Sequence, residues 1–193
     1  MDHRYTRTAM FLHWLIALLL LSQFAFGWYL QDVPRGVPAR SYFVNLHKST
    51  GMLVGVLILL RIVWRLTHTP PPLPDEVPRW QRRLAAASHF ALYACMLVMP
   101  LTGYVASNFS KWGVNFFNAV MLPPWGSDDK VVYAFLNQTH KFTSLVLLTL
   151  VVLHVLAALK HLLIDRDGVF TRMLPKRFVG HRQHAFSDEQ TSL

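Results

Sequence analysis

Residues 139–162 read THKFTSLVLLTLVVLHVLAALKHL, and this stretch decides the fold. After Lys141 no charged residue appears until Lys160. Coiled at about 1.5 Å per residue, such a run matches the hydrocarbon thickness of a bilayer. The lysines at its ends have stems long enough to carry their charges to the headgroups. Two histidines interrupt the apolar surface. His140 and His154 are 14 residues apart, so on a helix they share one face about 21 Å apart along the axis. An imidazole inside hydrocarbon is expensive and asks for a partner.

Working outward, three more segments have the same character. Thr8 to Gln31 and Leu84 to Ser110 contain no Lys, Arg, Asp or Glu, and Ser49 to Leu60 is a shorter run of the same kind. Spans are expected near 9–30, 43–65, 85–107 and 139–162. The whole chain has 193 residues, 53% hydrophobic and only 15% charged, with a mean hydropathy of +0.30. This composition excludes an ordinary soluble domain. The expected fold class is all-α: an integral membrane four-helix bundle. Arg4 and Arg7 ahead of the first span imitate a signal peptide, but the apolar run is longer than an h-region and is expected to be retained.

A net charge of +9 raises the question of nucleic acid, and the placement of the charge answers for lipid instead. With four spans, the N-terminus, the 66–84 loop and the C-terminus share one side and hold 13 of the 19 Lys and Arg residues. Six lie on the other side: Arg35, Arg40, Lys48, Lys111, Lys130 and Lys141. The positive-inside rule then puts both termini in the cytoplasm and the loops near 31–42 and 108–138 outside. The one cysteine, Cys95, falls inside the third span and reads as a packing residue.

No repeat and no extramembrane stretch long enough for a second core is evident, so one membrane domain is expected over 1–177, followed by a polar tail at 178–193. Pro70, Pro71, Pro72, Pro74 and Pro78 end the second helix in an extended connector. Lys111 to Met121, rich in Trp and Phe, is expected to lie in the membrane interface.

Depth pairs the buried histidines. His13 enters the first span from the inner side and His47 opens the second from the outer side, so His13 is expected to meet His154 and His47 to meet His140. Zinc sites on helices use closer spacings with Cys or carboxylate, which the spans lack. Haem fits better, because its iron takes one axial imidazole on each face while the apolar porphyrin fills the bundle. Hydroxyls such as Ser49 or Thr143 offer the plainer alternative partners. Gly51 and Gly55 follow His47 on one face, suited either to a flat ring or to close helix packing. Arg61 lies 14 residues beyond His47 and suits an inner propionate, or simply an interfacial anchor, as Arg65 does. Lys48 and Lys141 adjoin the outer pair as anchors or anion-attracting groups. His89 and His161 are expected nearer the aqueous boundary, where solvation or, at His89, a quinone headgroup would satisfy them. His3, His68, His181 and His184 fall in loops or the tail.

These residues resemble the bacterial cytochrome b561 family over roughly Tyr5 to Arg177. The resemblance rests on His13-Trp14, Asn45-x-His47 with Gly51, Arg61-x-x-Trp64-Arg65 and the proline connector. It continues through His89 with Tyr93, Pro100 and Gly103, the His140 and His154 pair, and the closing DGVFTRMLP of Asp167 to Pro175. It implies a multi-pass bacterial inner-membrane protein with two haem b groups on His13, His47, His140 and His154, exchanging electrons with quinone. In some members it implies oxidation of superoxide, making this an oxidoreductase. Quinone would dock near His89 and Arg79 or near the outer loop. The same plan serves as the cytochrome b anchor of hydrogenase-like and formate-dehydrogenase-like complexes, for which the short loops offer little docking surface. A haem-free transporter or proton relay would need a polar pathway that these spans lack.

Overall fold

The computed structural model describes residues 4–72 and 77–174; the tail at 178–193, with His181 and His184, and also His3 and Pro74, lie outside the described residues. Four long helices dominate: α1, Arg7–Asp32; α2, Pro38–Thr67; α3, Arg79–Asn108; and α4, Lys130–Lys160, which continues into a π-helical turn, His161–Asp165. All four are long and apolar enough to cross a bilayer.

Local chemistry sets their ends. The Thr6 hydroxyl accepts from the Ala9 N–H at 3.2 Å and caps α1. Pro38 occupies the first turn of α2, where a missing N–H costs nothing. The helix stops at Thr67, ahead of the expected proline connector. The Asp129 carboxylate accepts from Val131 and Val132 N–H at 2.8 and 3.1 Å. That cap starts α4 nine residues before the expected span, because polar Asn137 and Gln138 belong to its extramembrane turns.

Sequential neighbours pack together, α1 on α2, α2 on α3 and α3 on α4. The inner core is small: Ile16, Val54 and Ile58, with Tyr93, Met96 and Leu97 against them. Large apolar side chains point outward along every helix, among them Leu18, Leu60, Phe90 and Leu145. Such a surface belongs against lipid. Gly55 faces Pro100 of α3, whose ring would lie 3.1 Å from an added Cβ. Gly55 therefore serves helix packing, the alternative to a ring-facing role.

The bundle has two unlike ends. At one, the expected interfacial segment forms an antiparallel hairpin, β1 (Val114–Phe116) with β2 (Val120–Leu122), in register Val114↔Leu122. Gly113 precedes it at φ +56, where a Cβ would meet the Leu122 carbonyl at 2.6 Å. The hairpin is stitched to the start of α2. Phe117 N–H donates to the fully buried Ser49 hydroxyl at 2.7 Å, Asn45 Nδ2 donates to Asn118 Oδ1 at 2.9 Å, and Lys48 Nζ donates to Gly113 O at 2.9 Å.

At the other end, the turn Phe170–Met173 folds under the helices. Trp14 Nε1 donates to Met173 O at 2.9 Å, and Tyr5 N–H donates to Arg172 O at 3.3 Å. The buried Arg172 guanidinium donates to Pro71 O and, at 2.8 Å, to Pro72 O. The N-terminal segment, the proline connector and the segment after α4 are thus tied at one point.

Candidate functional site

The helices bring the buried histidines together at two levels. At the hairpin end, His47 of α2 and His140 of α4 face each other with ring centres 6.3 Å apart. At the terminal end, His13 of α1 and His154 of α4 do the same, also at 6.3 Å. The expected partners are therefore adjacent in both cases.

Can these residues hold an iron porphyrin? An imidazole nitrogen lies about 2.0–2.1 Å from a first-row metal, so adding a ring radius of about 1.1 Å on each side puts two axial rings roughly 6–6.5 Å apart. Both pairs meet that spacing. The hairpin-end pair has further support. His140 Nδ1 lies 3.0 Å from Met99 O and 3.2 Å from the Thr102 hydroxyl. A carbonyl can only accept, so Nδ1 carries the hydrogen and Nε2 keeps a free lone pair for a metal. Gly103 makes room for this arrangement, since a Cβ there would lie 3.2 Å from the imidazole Cε1. A cavity of about 1420 Å³ opens between the helices at this level, lined by both His47 and His140 and by Gly51. The donor set, its spacing and the space beside it fit the cofactor.

Ser49 is not a partner of either pair. Ser49 donates to Asn45 O and accepts from Phe117, so it is committed to the hairpin rather than to a histidine. His140 does have a hydroxyl contact, from Thr102 of α3.

The terminal-end pair has a third imidazole. His89 of α3 has its ring centre 5.5 Å from that of His154, so the expectation that depth holds His89 apart is corrected. Its physical reason is that α3 begins at Arg79; His89 lies almost three turns inside the helix. Arg61 is close by, donating through Nε to the Tyr93 hydroxyl at 3.0 Å and through Nη1 to Ala9 O at 2.9 Å, one turn before His13. Arg65 lies over the Tyr93 ring. Arg61, Arg65, Trp64 and Tyr93 line a recess of about 50 Å³.

Other sequence candidates have different occupations. Lys48 is tied to the hairpin, and Lys111 pairs with Asp128 at 3.7 Å. Lys141 lines the cavity. His161 is not simply solvated: its Nδ1 lies 2.6 Å from Asp167 and 3.3 Å from Asp165. His68 stacks on Trp64 with ring centres 3.8 Å apart. Several polar residues of the cavity wall escaped the sequence reading, and one of them, Gln23 of α1, lies within a membrane span. It lines the cavity opposite Gly51, and its signal was a lone amide in an otherwise apolar run.

Comparison with known proteins agrees with this architecture. The sequence model of a family described as prokaryotic cytochrome b561 matches residues 4–176. The chain is 31% identical over 175 residues to "Cytochrome b561 homolog 2" of Escherichia coli (strain K12), covering 90% of this chain and 92% of that protein. It is 26% identical over 181 residues to "Cytochrome b561 homolog 1" of the same organism, covering 91% and 99%. It is 25% identical over 180 residues to "Probable superoxide oxidase CybB" of Yersinia pestis, covering 92% and 99%.

Proposed function

The chain belongs to the prokaryotic cytochrome b561 family, and on that footing we propose that it carries two haem b groups, one on each histidine pair, and passes electrons between a donor and the quinone pool. Membership makes it a multi-pass bacterial membrane protein of electron transfer that binds haem b. The finer reading assigns His13 and His154 to one haem and His47 and His140 to the other. The observation that carries it is the equal 6.3 Å ring separation of two imidazole pairs on one helix face.

When bound, haem supplies one-electron chemistry at a potential set by its ligands and surroundings. The chain's own residues do the rest. His140 is fixed in one tautomer by Met99, and Gly103 lets its ring lie against α3. The apolar walls of the spans keep water from the path between the two levels. Arg61, adjacent to Ala9 and Tyr93, is assigned the inner propionate through charge-assisted hydrogen bonds. The distribution of basic residues supports a cytoplasmic location for both termini and an outer location for the hairpin.

For the donor, the reading takes superoxide at the hairpin end, prompted by the name of the Yersinia relative. Each superoxide gives up one electron and becomes dioxygen; two such electrons with two protons take a quinone to a quinol. His89, half-buried beside His154, is assigned as a hydrogen-bonding group for the quinone.

The deciding experiment is a reduced-minus-oxidised optical spectrum of the purified full chain together with a haem-to-protein ratio. A b-type spectrum at two haems per chain is the expected result. A ratio of one refutes the double pairing, and no b-type spectrum ends the reading.

A further inference from the structure

The recess of about 50 Å³ at the terminal end is closed by four separate parts of the chain: the segment before α1 with Arg4, the last turns of α2 with Arg61 and Arg65, the connector, and Tyr93 of α3. Three of the residues lining it carry guanidiniums, and none carries a carboxylate. Two of the guanidiniums are fixed against the same wall. Arg61 Nε donates to the Tyr93 hydroxyl at 3.0 Å, and the Arg65 guanidinium carbon lies 5.8 Å from the centre of the Tyr93 ring. Arg4 borders the recess from the other chain segment, and its hydrogen bond to Leu174 O is a long one at 3.5 Å. Among the described residues no carboxylate forms an ion pair with any of the three.

Like charges gathered at a membrane surface repel one another unless an anion lies between them. The inner propionate accounts for Arg61 and leaves Arg4 and Arg65 without a counter-charge. The start of α1 adds to the same field. It meets the recess through Thr6 and Ala9, and its first turn holds no acidic residue, so the positive end of the helix dipole is uncompensated there. The frame is set without a ligand: Trp64 Nε1 donates to the Thr6 hydroxyl at 2.9 Å, and Arg61 Nη1 to Ala9 O at 2.9 Å. A preformed site spends little on ordering when it binds.

Size and surroundings narrow the anion. At roughly 10–15 Å³ for each water the recess has room for about four, the size of one phosphate group and too little for a quinone ring or a porphyrin. Val63 and Leu66, which flank Trp64 and Arg65 on α2, are 57% and 80% exposed, on a helix apolar enough to face hydrocarbon. A phosphate that brings acyl chains with it covers that surface, and a free phosphate does not. Basic pockets between membrane helices at the cytoplasmic end take the headgroups of anionic lipids.

We propose that Arg4 and Arg65, together with Arg61 and the start of α1, form a binding site for the phosphate of an anionic phospholipid, held by charge-assisted hydrogen bonds from the guanidiniums. The lipid bridges the segment before α1 to the end of α2. This site goes beyond electron transfer and requires neither haem.

The test is native mass spectrometry of the detergent-purified full-length holoprotein, titrated with phosphatidylglycerol, with phosphatidylcholine and with inorganic phosphate. One phosphatidylglycerol per chain is expected to bind in preference to phosphatidylcholine, whose choline cancels the headgroup charge, and to stay bound against an equal concentration of inorganic phosphate. Arg4→Ala and Arg65→Ala are each expected to weaken it about fivefold, the worth of roughly one basic residue at a lipid surface, at an unchanged haem-to-protein ratio. Arg7→Ala removes an exposed guanidinium at the same end that does not line the recess, and is expected to leave the affinity as it was. Equal affinity for the two lipids overturns the inference. So does an equal loss in Arg7→Ala, which would show diffuse attraction to the surface, or a loss of haem in Arg4→Ala or Arg65→Ala, which would return those arginines to the propionates. Displacement by inorganic phosphate at equal concentration overturns the lipid as the occupant. A ratio of one haem in the unaltered protein refutes the double pairing and leaves the lipid count untouched, so the two failures are distinct.

Discussion

His140 Nδ1 lies 3.0 Å from the carbonyl oxygen of Met99, and Gly103, one turn farther along α3, leaves the gap into which the imidazole fits. A methyl group at Gly103 would stand 3.2–3.3 Å from the ring atoms, so the ring must shift or lose its carbonyl partner. Gly103→Ala is expected to weaken retention of the outer haem about 10–100-fold. The unaltered protein is the reference and should retain both haems. Haem-to-protein ratios after dilution in detergent measure the difference.

Single removal of a ligand should empty one level at a time. His154→Ala is expected to lose the inner haem and keep the outer one, and His47→Ala the reverse, read from the haem ratio and the number of redox waves. Loss of the outer haem alone from His154→Ala would show that the bundle is oriented the other way or paired differently.

The Ser49 hydroxyl is the buried acceptor for Phe117 N–H. Ser49→Ala leaves that donor unsatisfied, at a cost of about 1–3 kcal/mol. The expected outcome is a hairpin that opens more often, seen as faster protease cleavage within 113–122 at an unchanged haem ratio. Cleavage at the wild-type rate would show that the Asn45 and Lys48 contacts hold the hairpin without it.

If superoxide is the donor, attraction of the anion to the hairpin end should make the rate fall as ionic strength rises, because the Debye length shrinks to about 3 Å at 1 M salt. Lys48, Lys111 and Lys141 all line the cavity, but Lys48 donates to Gly113 O and Lys111 has the Asp128 carboxylate 3.7 Å away to offset its charge. Lys141→Glu is accordingly expected to slow the reaction more than Lys111→Glu. A rate independent of salt rejects the attraction.

Much of this was legible in the chain. The four spans follow from apolar run length, and the pairing of His13 with His154 and of His47 with His140 follows from depth, which a bilayer makes nearly one-dimensional. What depth does not encode is rotation about a helix axis. That is why Gly55 turned out to face Pro100, and why His89 joined His154 instead of water. Helix extension beyond the membrane was also hidden, because Arg79 to Arg83 carries three arginines, and the apolar run between Lys130 and Asn137 is too short to signal a span. The hairpin depends on left-handed backbone at Phe117 and Asn118 and on long-range hydrogen bonds to α2. Neither leaves a periodic trace in Lys111 to Met121.

The Arg172 tie carries a consequence for biogenesis. Arg172 leaves the ribosome after all four helices, yet it is the residue that joins Pro71 and Pro72 of the connector to Tyr5 near the start of the chain. During synthesis that end of the bundle must therefore stay unlatched until Arg172 has been made, after all four helices. Among the described residues, the contacts of Arg172, Met173 and Leu174 with the N-terminal segment and the connector are thus the last that can form.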